Sequence, residues 1–139
     1  MNLTQQPLPA MQLAAYQVRV LDETEIPGAV AELRSKLDPL AGTNALTLAF
    51  DGTDDDAIVV TAGIDATAAE SDDQLSAITL PAESTAISVR FDEMPPQPSD
   101  VWATIDAHLA TLGLRTHGIH RHLVAPDGSV TLQAPVHDA

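Results

Sequence analysis

The spacing of apolar residues changes from strand-like to helix-like and back within the first half of the chain. A partly alternating run over residues 13–21 predicts a strand with one buried face. Apolar residues then recur four, three and four positions apart, which is helical spacing: Ile26, Val30, Leu33 and Leu37. Apolar runs at 45–50 and 57–64 flank a polar turn and predict a hairpin. The first half therefore predicts β-α-β-β.

The second half shows the same order of patterns. Runs at 75–80 and 85–91, separated by Pro81, predict a strand with an edge position or a bulge. A proline-rich loop leads to Ser99, a plausible helix cap, and Gly113 ends the helix, whose apolar stripe is Val101, Ile105, Leu109 and Leu112. The last two runs, 119–124 and 129–134, enclose an Asp-Gly turn that predicts a second hairpin.

Short segments also repeat about seventy residues apart. Val18-Arg19-Val20 returns as Val89-Arg90-Phe91, and Val60-Thr61 returns as Val130-Thr131. We therefore expect an α+β domain over residues 12–139, built from duplicated β-α-β-β units at about 12–65 and 74–136. The sheet should be mainly antiparallel, with both helices on one face and a cleft at the pseudo-two-fold seam. Residues 1–11 are expected to be a flexible leader.

Composition excludes several classes of function. The formal net charge of -14 repels phosphate backbones, so we expect no direct nucleic-acid binding. The absence of cysteine excludes disulfides, thiolate catalysis and cysteine-based metal sites. No apolar run is long enough to cross a membrane and no signal peptide is recognisable, so a cytoplasmic protein without a membrane partner is expected. The sequence predicts no cofactor.

Several weak motifs in the second half, taken in order, resemble one known family. They are the strand 86–91, the helix bearing Trp102, the segment Gly118-Ile119-His120-Arg121-His122-Leu123, and the closing segment 132–136. Together with the duplicated plan they resemble the GyrI-like small-molecule-binding domains, in a stand-alone form. That family includes the effector-binding domains of bacterial multidrug-responsive regulators. The resemblance spans roughly residues 12–136.

The resemblance implies a cleft between the two units that holds flat hydrophobic, often cationic, compounds. Many family members carry a buried carboxylate there, and some hydrolyse reactive cyclic compounds with a cleft Glu and Tyr. This chain has His120-Arg121-His122 where relatives usually read Glu-x-Tyr, and Thr61 where they often carry a glutamate. Neutral or anionic ligands therefore become as plausible as cationic ones, and the hydrolase interpretation weakens.

The candidate ligand-binding residues are Trp102, His120, His122, Phe50, Thr61 and Met94. Trp102 can stack on a flat ligand, although a lone Trp also suits a core position. His120 and His122 share one face of a strand, where two imidazoles suit a metal, acid–base chemistry or a polar cleft wall. Without an obvious third ligand, we predict no metal site and no catalytic residues. Phe50 and Met94 suit either the cleft or plain packing.

The function that these observations favour is small-molecule binding, either to sense or to sequester an apolar or aromatic ligand. Two alternatives remain open. One is a hydrolase that acts on a reactive small molecule in the same cleft. The other is an acidic inhibitor that binds a separate protein partner. Saturable binding without turnover separates the first function from both alternatives.

Overall fold

The computed structural model describes residues 3–52, 56–67 and 75–138. Within these ranges the chain forms nine strands and two α-helices. The strands are β1 (Leu3–Gln5), β2 (Met11–Val20), β3 (Leu46–Asp51), β4 (Ile58–Asp65), β5 (Ser76–Leu80), β6 (Ala86–Phe91), β7 (Leu114–Thr116), β8 (Ile119–Val124) and β9 (Val130–Asp138). The helices are α1 (Ile26–Ala41) and α2 (Pro98–Thr111). The tip of the first predicted hairpin turn and most of the link between the units lie outside the described residues.

All strand pairings are antiparallel, and the sheet runs in the order β1-β6-β9-β8-β3-β4-β2-β5, with β7 added to β9. The two hairpins, β3–β4 and β8–β9, meet where β3 pairs with β8, and the ends of the sheet are exchanged, because β5 of the second unit pairs with β2 and β1 pairs with β6. The predicted α+β class, with a mainly antiparallel sheet and two helices, is confirmed. None of the helices in the described ranges is long and apolar enough to span a membrane.

One face of the sheet, here called the front face, carries the main core. Strand alternation places Leu48, Val60 and Leu132 on this face, and each is almost fully buried. Both helices pack on it, α1 through Leu33 and Leu37 among other residues, and α2 through Ile105 and Leu109. Because both helices use the same face, the opposite face needs a different cover.

A two-stranded ribbon crosses that opposite, back face. The ribbon consists of residues 3–15 and 76–89, which run antiparallel to each other. They are joined by the β1–β6 pairing, the bridge between Leu8 and Glu83, and the β2–β5 pairing. Beneath the ribbon, Arg121 is 1% exposed. Its Nη1 donates to the carbonyl of Pro9 at 2.8 Å and its Nη2 donates to the carbonyl of Pro81 at 2.5 Å. One guanidinium therefore fastens both crossing segments.

This ribbon differs from the expectation of a loose leader. Residues 3–5 form β1 on β6, and Leu8 is 2% exposed. Proline and glutamine favour an open chain on their own, but backbone pairing with β6 and the guanidinium of Arg121 satisfy the polar groups of this segment. The described part of the leader, from residue 3 onward, is thus part of the fold.

The helix boundaries also differ in detail. Helix α1 contains Pro39 in its last turn and ends at Ala41, where Gly42 follows at φ 59°, a left-handed conformation that glycine tolerates. A 3-10 turn over Glu23–Glu25 precedes it, with the Asp22 carboxylate accepting from the Thr24 N–H. Helix α2 begins at Pro98, one residue before the expected cap Ser99.

Gly63 is required by the close approach of β4 to β2. A Cβ on Gly63 would lie 2.7 Å from the Cβ of Ala15 and 2.9 Å from the carbonyl oxygen of Ala14. We expect Gly63→Ala to lower the free energy of unfolding by about 1–3 kcal/mol through overpacking. Urea unfolding measures the change. Gly28→Ala is the matched control, because nothing lies within 4 Å of that Cβ in α1 and alanine favours helix. Equal stability of both variants would contradict the packing argument.

Candidate functional site

Four aromatic rings meet on the front face and are here called the ring cluster: Phe50, Trp102, His120 and His122. The centroids of Trp102 and His120 lie 4.5 Å apart in an edge-to-face arrangement, and those of Phe50 and His122 lie 4.7 Å apart. His122 is 6% exposed, while the other three rings are half-buried. The cluster therefore has one buried ring, His122, and three rings that remain partly accessible.

Strand register explains why these rings meet. His120 and His122 are two residues apart on β8, so both point to the front face. Phe50 pairs directly with His120, and Leu48 pairs with His122 on the adjacent strand β3. Trp102 reaches the same place from the second turn of α2. Phe50 is on β3, which lies between β4 and β8. Helix α1 packs over β4, and Trp102 of α2 bonds His122 on β8.

One hydrogen bond ties the cluster to α2. The indole N–H of Trp102 donates to Nε2 of His122 at 3.0 Å. An imidazole whose Nε2 accepts carries its proton on Nδ1 and is neutral. The bond therefore fixes both the tautomer of His122 and the orientation of the indole ring.

Burial keeps both imidazoles of the cluster uncharged. Desolvation, with a contribution from the neighbouring His120, lowers the pKa of His122 to about 4. Desolvation also lowers the pKa of His120, although the backbone of Gly118 and the carboxylate of Asp106 partly oppose the shift. At neutral pH the cluster thus offers aromatic faces and imidazole nitrogens without a positive charge.

The structure does not bring all six candidate residues together. Met94 is half-buried in the loop before α2 and packs against the main core. Thr61 pairs with Ala49 and therefore lies on the back face, opposite the ring cluster. It is 3% exposed, and its hydroxyl accepts a hydrogen bond from the side chain of Gln17 at 2.9 Å. Phe50, Trp102, His120 and His122 thus form one group that excludes Thr61.

A recess of about 560 Å³ opens beside the cluster. It is lined by Leu21, Asp22, Glu23, Thr24, Gly52, Ala57 and Ile58. Ile58 lies two residues along β4 from Val60, the pairing partner of Phe50, so the recess lies on the α1 side of that ring. The recess and the ring cluster share no lining residue. They are neighbours at the same end of the sheet.

Sequence reasoning missed a second polar group, formed by Arg115 on β7, His117 just after β7, and His137 on β9. The rings of His117 and His137 lie 4.4 Å apart, and Nε of Arg115 donates to Nε2 of His137 at 2.9 Å. Desolvation, Arg115 and His117 together lower the pKa of His137. Within the described parts of the chain, no three His, Cys, Asp or Glu side chains are grouped closely enough to hold a metal ion.

Comparison with known proteins places the fold among solved structures. No known protein family matches the sequence, and no curated protein matches it. An integron cassette protein from the mobile metagenome of Vibrio cholerae has TM-score 0.72 and 14% identity, covering 97% of this chain and 95% of the other. A protein named SAV2435, solved bound to tetraphenylphosphonium, has TM-score 0.71 and 11% identity over 99% and 94% of the two chains.

A third similar structure is the C-terminal domain of EcmrR, a protein also solved in complex with DNA. Its TM-score is 0.66 at 10% identity, covering 99% of this chain and 98% of that domain. At these identities the likeness establishes a shared fold. What those proteins bind or do does not follow for this chain from the shared fold.

Proposed function

We propose that this chain is a small-molecule-binding module, similar to the GyrI-like domains, that senses or sequesters an apolar or aromatic ligand. The ligand lies on the ring cluster, against Phe50, Trp102 and His120. The observation that carries the proposal is the group of three partly accessible rings, on the helix-bearing face of a fold shared with a protein bound to tetraphenylphosphonium.

Apolar burial supplies most of the binding energy in this proposal. Removing apolar surface from water contributes about 25 cal/mol per Å². Half-buried aromatic rings are suited to this because they stack on flat or propeller-shaped aromatic compounds and lose little conformational freedom when covered. The recess on the α1 side of Phe50, an open depression of about 560 Å³, gives a larger ligand room beyond the rings.

Charge narrows the ligand class. Both imidazoles are neutral at neutral pH, so the cluster offers an anion no counter-charge. The face of an indole attracts cations, and a net charge of -14 raises the local concentration of cations. The proposed preference is therefore for neutral or cationic aromatic compounds over anionic ones. The same net charge disfavours nucleic acid as a partner.

Calorimetric titration of the purified chain with tetraphenylphosphonium, and with tetraphenylborate as the matched anion, tests the proposal. Saturable binding of the phosphonium, with weaker binding of the borate, is the expected result. Turnover of a reactive substrate in the same preparation would favour the hydrolase interpretation. Failure of both probes and of a diverse neutral aromatic library would contradict the proposal and favour a protein partner.

His120→Glu is expected to strengthen phosphonium binding and weaken borate binding. The substitution places a carboxylate beside the half-buried rings. Its attraction to a bound cation is stronger in a site from which water is largely removed. We expect roughly a tenfold increase in the ratio of the two affinities, measured by calorimetry. His120→Gln is the matched uncharged control and should leave the ratio close to that of the wild type. An unchanged ratio in His120→Glu would place the bound probe away from β8.

A further inference from the structure

Trp102 is oriented by a hydrogen bond to the side chain of His122, which lies beneath the proposed ligand surface. His122 accepts the indole N–H at 3.0 Å, and its ring lies 4.7 Å from Phe50 and 6.0 Å from the indole. It contacts two of the three rings proposed to touch the ligand. With only 6% of its surface exposed, His122 can act on a ligand mainly through these neighbours.

The surroundings of His122 favour its neutral form. Its pairing partners are Leu48 on β3 and Leu132 on β9, both buried and apolar. On its own strand the titratable neighbour is His120, and from α2 the carboxylate of Asp106 acts on His120. A proton on Nε2 of His122 would set a donor against the indole N–H, so protonation and the Trp102 hydrogen bond exclude each other.

We propose that His122 is a positioning residue, whose neutral imidazole holds the Trp102 indole in the orientation that receives the ligand. The inference rests on the proposed function and adds to it a specific requirement for a hydrogen-bond acceptor at position 122. Without that acceptor the indole loses the hydrogen bond that selects one orientation, and the ligand must restore that orientation on binding.

Two substitutions separate an acceptor from simple packing. His122→Leu removes the acceptor and keeps apolar volume beneath the rings, whereas His122→Gln keeps an acceptor oxygen that does not titrate. We expect His122→Leu to weaken tetraphenylphosphonium binding about tenfold, the scale of one net hydrogen bond. His122→Gln should stay within about threefold of the wild type. Circular dichroism at each condition shows whether a variant is folded.

Trp102 emission measured against pH tests the role of His122 separately, because a purely structural role would not make the emission depend on the protonation of His122. The folded-state pKa of His122, about 4, lies below the ordinary value of 6.5, so the imidazole remains neutral until the pH is unusually low. Wild-type Trp102 emission should therefore change with a midpoint well below pH 6.5 as the imidazole takes up a proton. Probe affinity should fall over the same range. In His122→Gln the corresponding step should be missing, because the glutamine does not titrate.

The outcomes distinguish this inference from the proposed function. Equal binding and equal emission in the wild type and His122→Leu would overturn the positioning role while leaving the binding function intact. Persistence of the emission step in His122→Gln would overturn it as well, because the step would then belong to another titrating group. If the wild type binds no probe, the proposed function fails. The emission profiles of the wild type and His122→Gln then still decide whether His122 holds the indole.

Discussion

Arg121→Met is expected to lower the free energy of unfolding by about 3 kcal/mol or more. The guanidinium is 1% exposed and donates to the carbonyls of Pro9 and Pro81, one from each crossing segment. Hydrogen bonds to charged groups contribute about 1.5–3 kcal/mol each, and the substitution removes two of them. Relief from burying the charge offsets part of this loss. Urea unfolding at neutral pH measures the difference.

Arg90→Met is the matched control for this prediction. Arg90 also lies on a strand, but it is exposed and its pair with Asp92, at 3.0 Å, is exposed too. Surface pairs of this kind contribute about 0–1 kcal/mol, so the control should remain close to wild-type stability. If Arg121→Met were no more costly than Arg90→Met, the guanidinium would not be what fastens the ribbon to the back of the sheet.

Trp102→Ala is expected to weaken tetraphenylphosphonium binding by about 1–3 kcal/mol, the scale of burying one large side chain. This corresponds to a loss of roughly 5- to 150-fold in affinity. The substitution removes the largest ring of the cluster and leaves Nε2 of His122 without its donor. Calorimetry measures the affinity, and a thermal melt separates this effect from any loss of stability.

Leu112→Ala is the matched control for Trp102→Ala. Leu112 caps the same helix, is 51% exposed and lies outside the ring cluster, so its truncation should leave probe affinity unchanged. Equal affinity in the wild type and Trp102→Ala would remove the indole from the proposed site. The ligand surface would then have to be sought at the neighbouring recess.

The local patterns predicted the parts of the fold that depend on neighbouring residues. The runs at 119–124 and 129–134 around the Asp-Gly turn predicted the second hairpin, and β8 covers residues 119–124. The two-residue spacing of His120 and His122 correctly placed both imidazoles on one face. Helical spacing predicted both helices, although Pro39 did not end α1 where a proline in isolation would.

Contacts between distant residues were beyond the reach of those patterns. Arg121 donates to carbonyls 112 and 40 residues away. Every residue has a backbone carbonyl, so the sequence does not show which carbonyls accept these bonds. The same reason hides β1 and the ribbon, which are held by backbone pairing. Thr61 was a candidate through the resemblance alone, and the β3–β4 register pairs it with Ala49, on the face of the sheet that Phe50 does not occupy. The Trp102–His122 bond likewise depends on how α2 packs.

The chain's single tryptophan allows the account's central claim to be tested directly. In a nitrogen-15 NMR spectrum of the labelled protein, the indole N–H of Trp102 gives one side-chain signal. Titration with tetraphenylphosphonium should move or broaden this signal saturably, in step with the affinity measured by calorimetry. Calorimetric binding that leaves the indole signal unmoved at saturation would contradict a ligand site on the ring cluster.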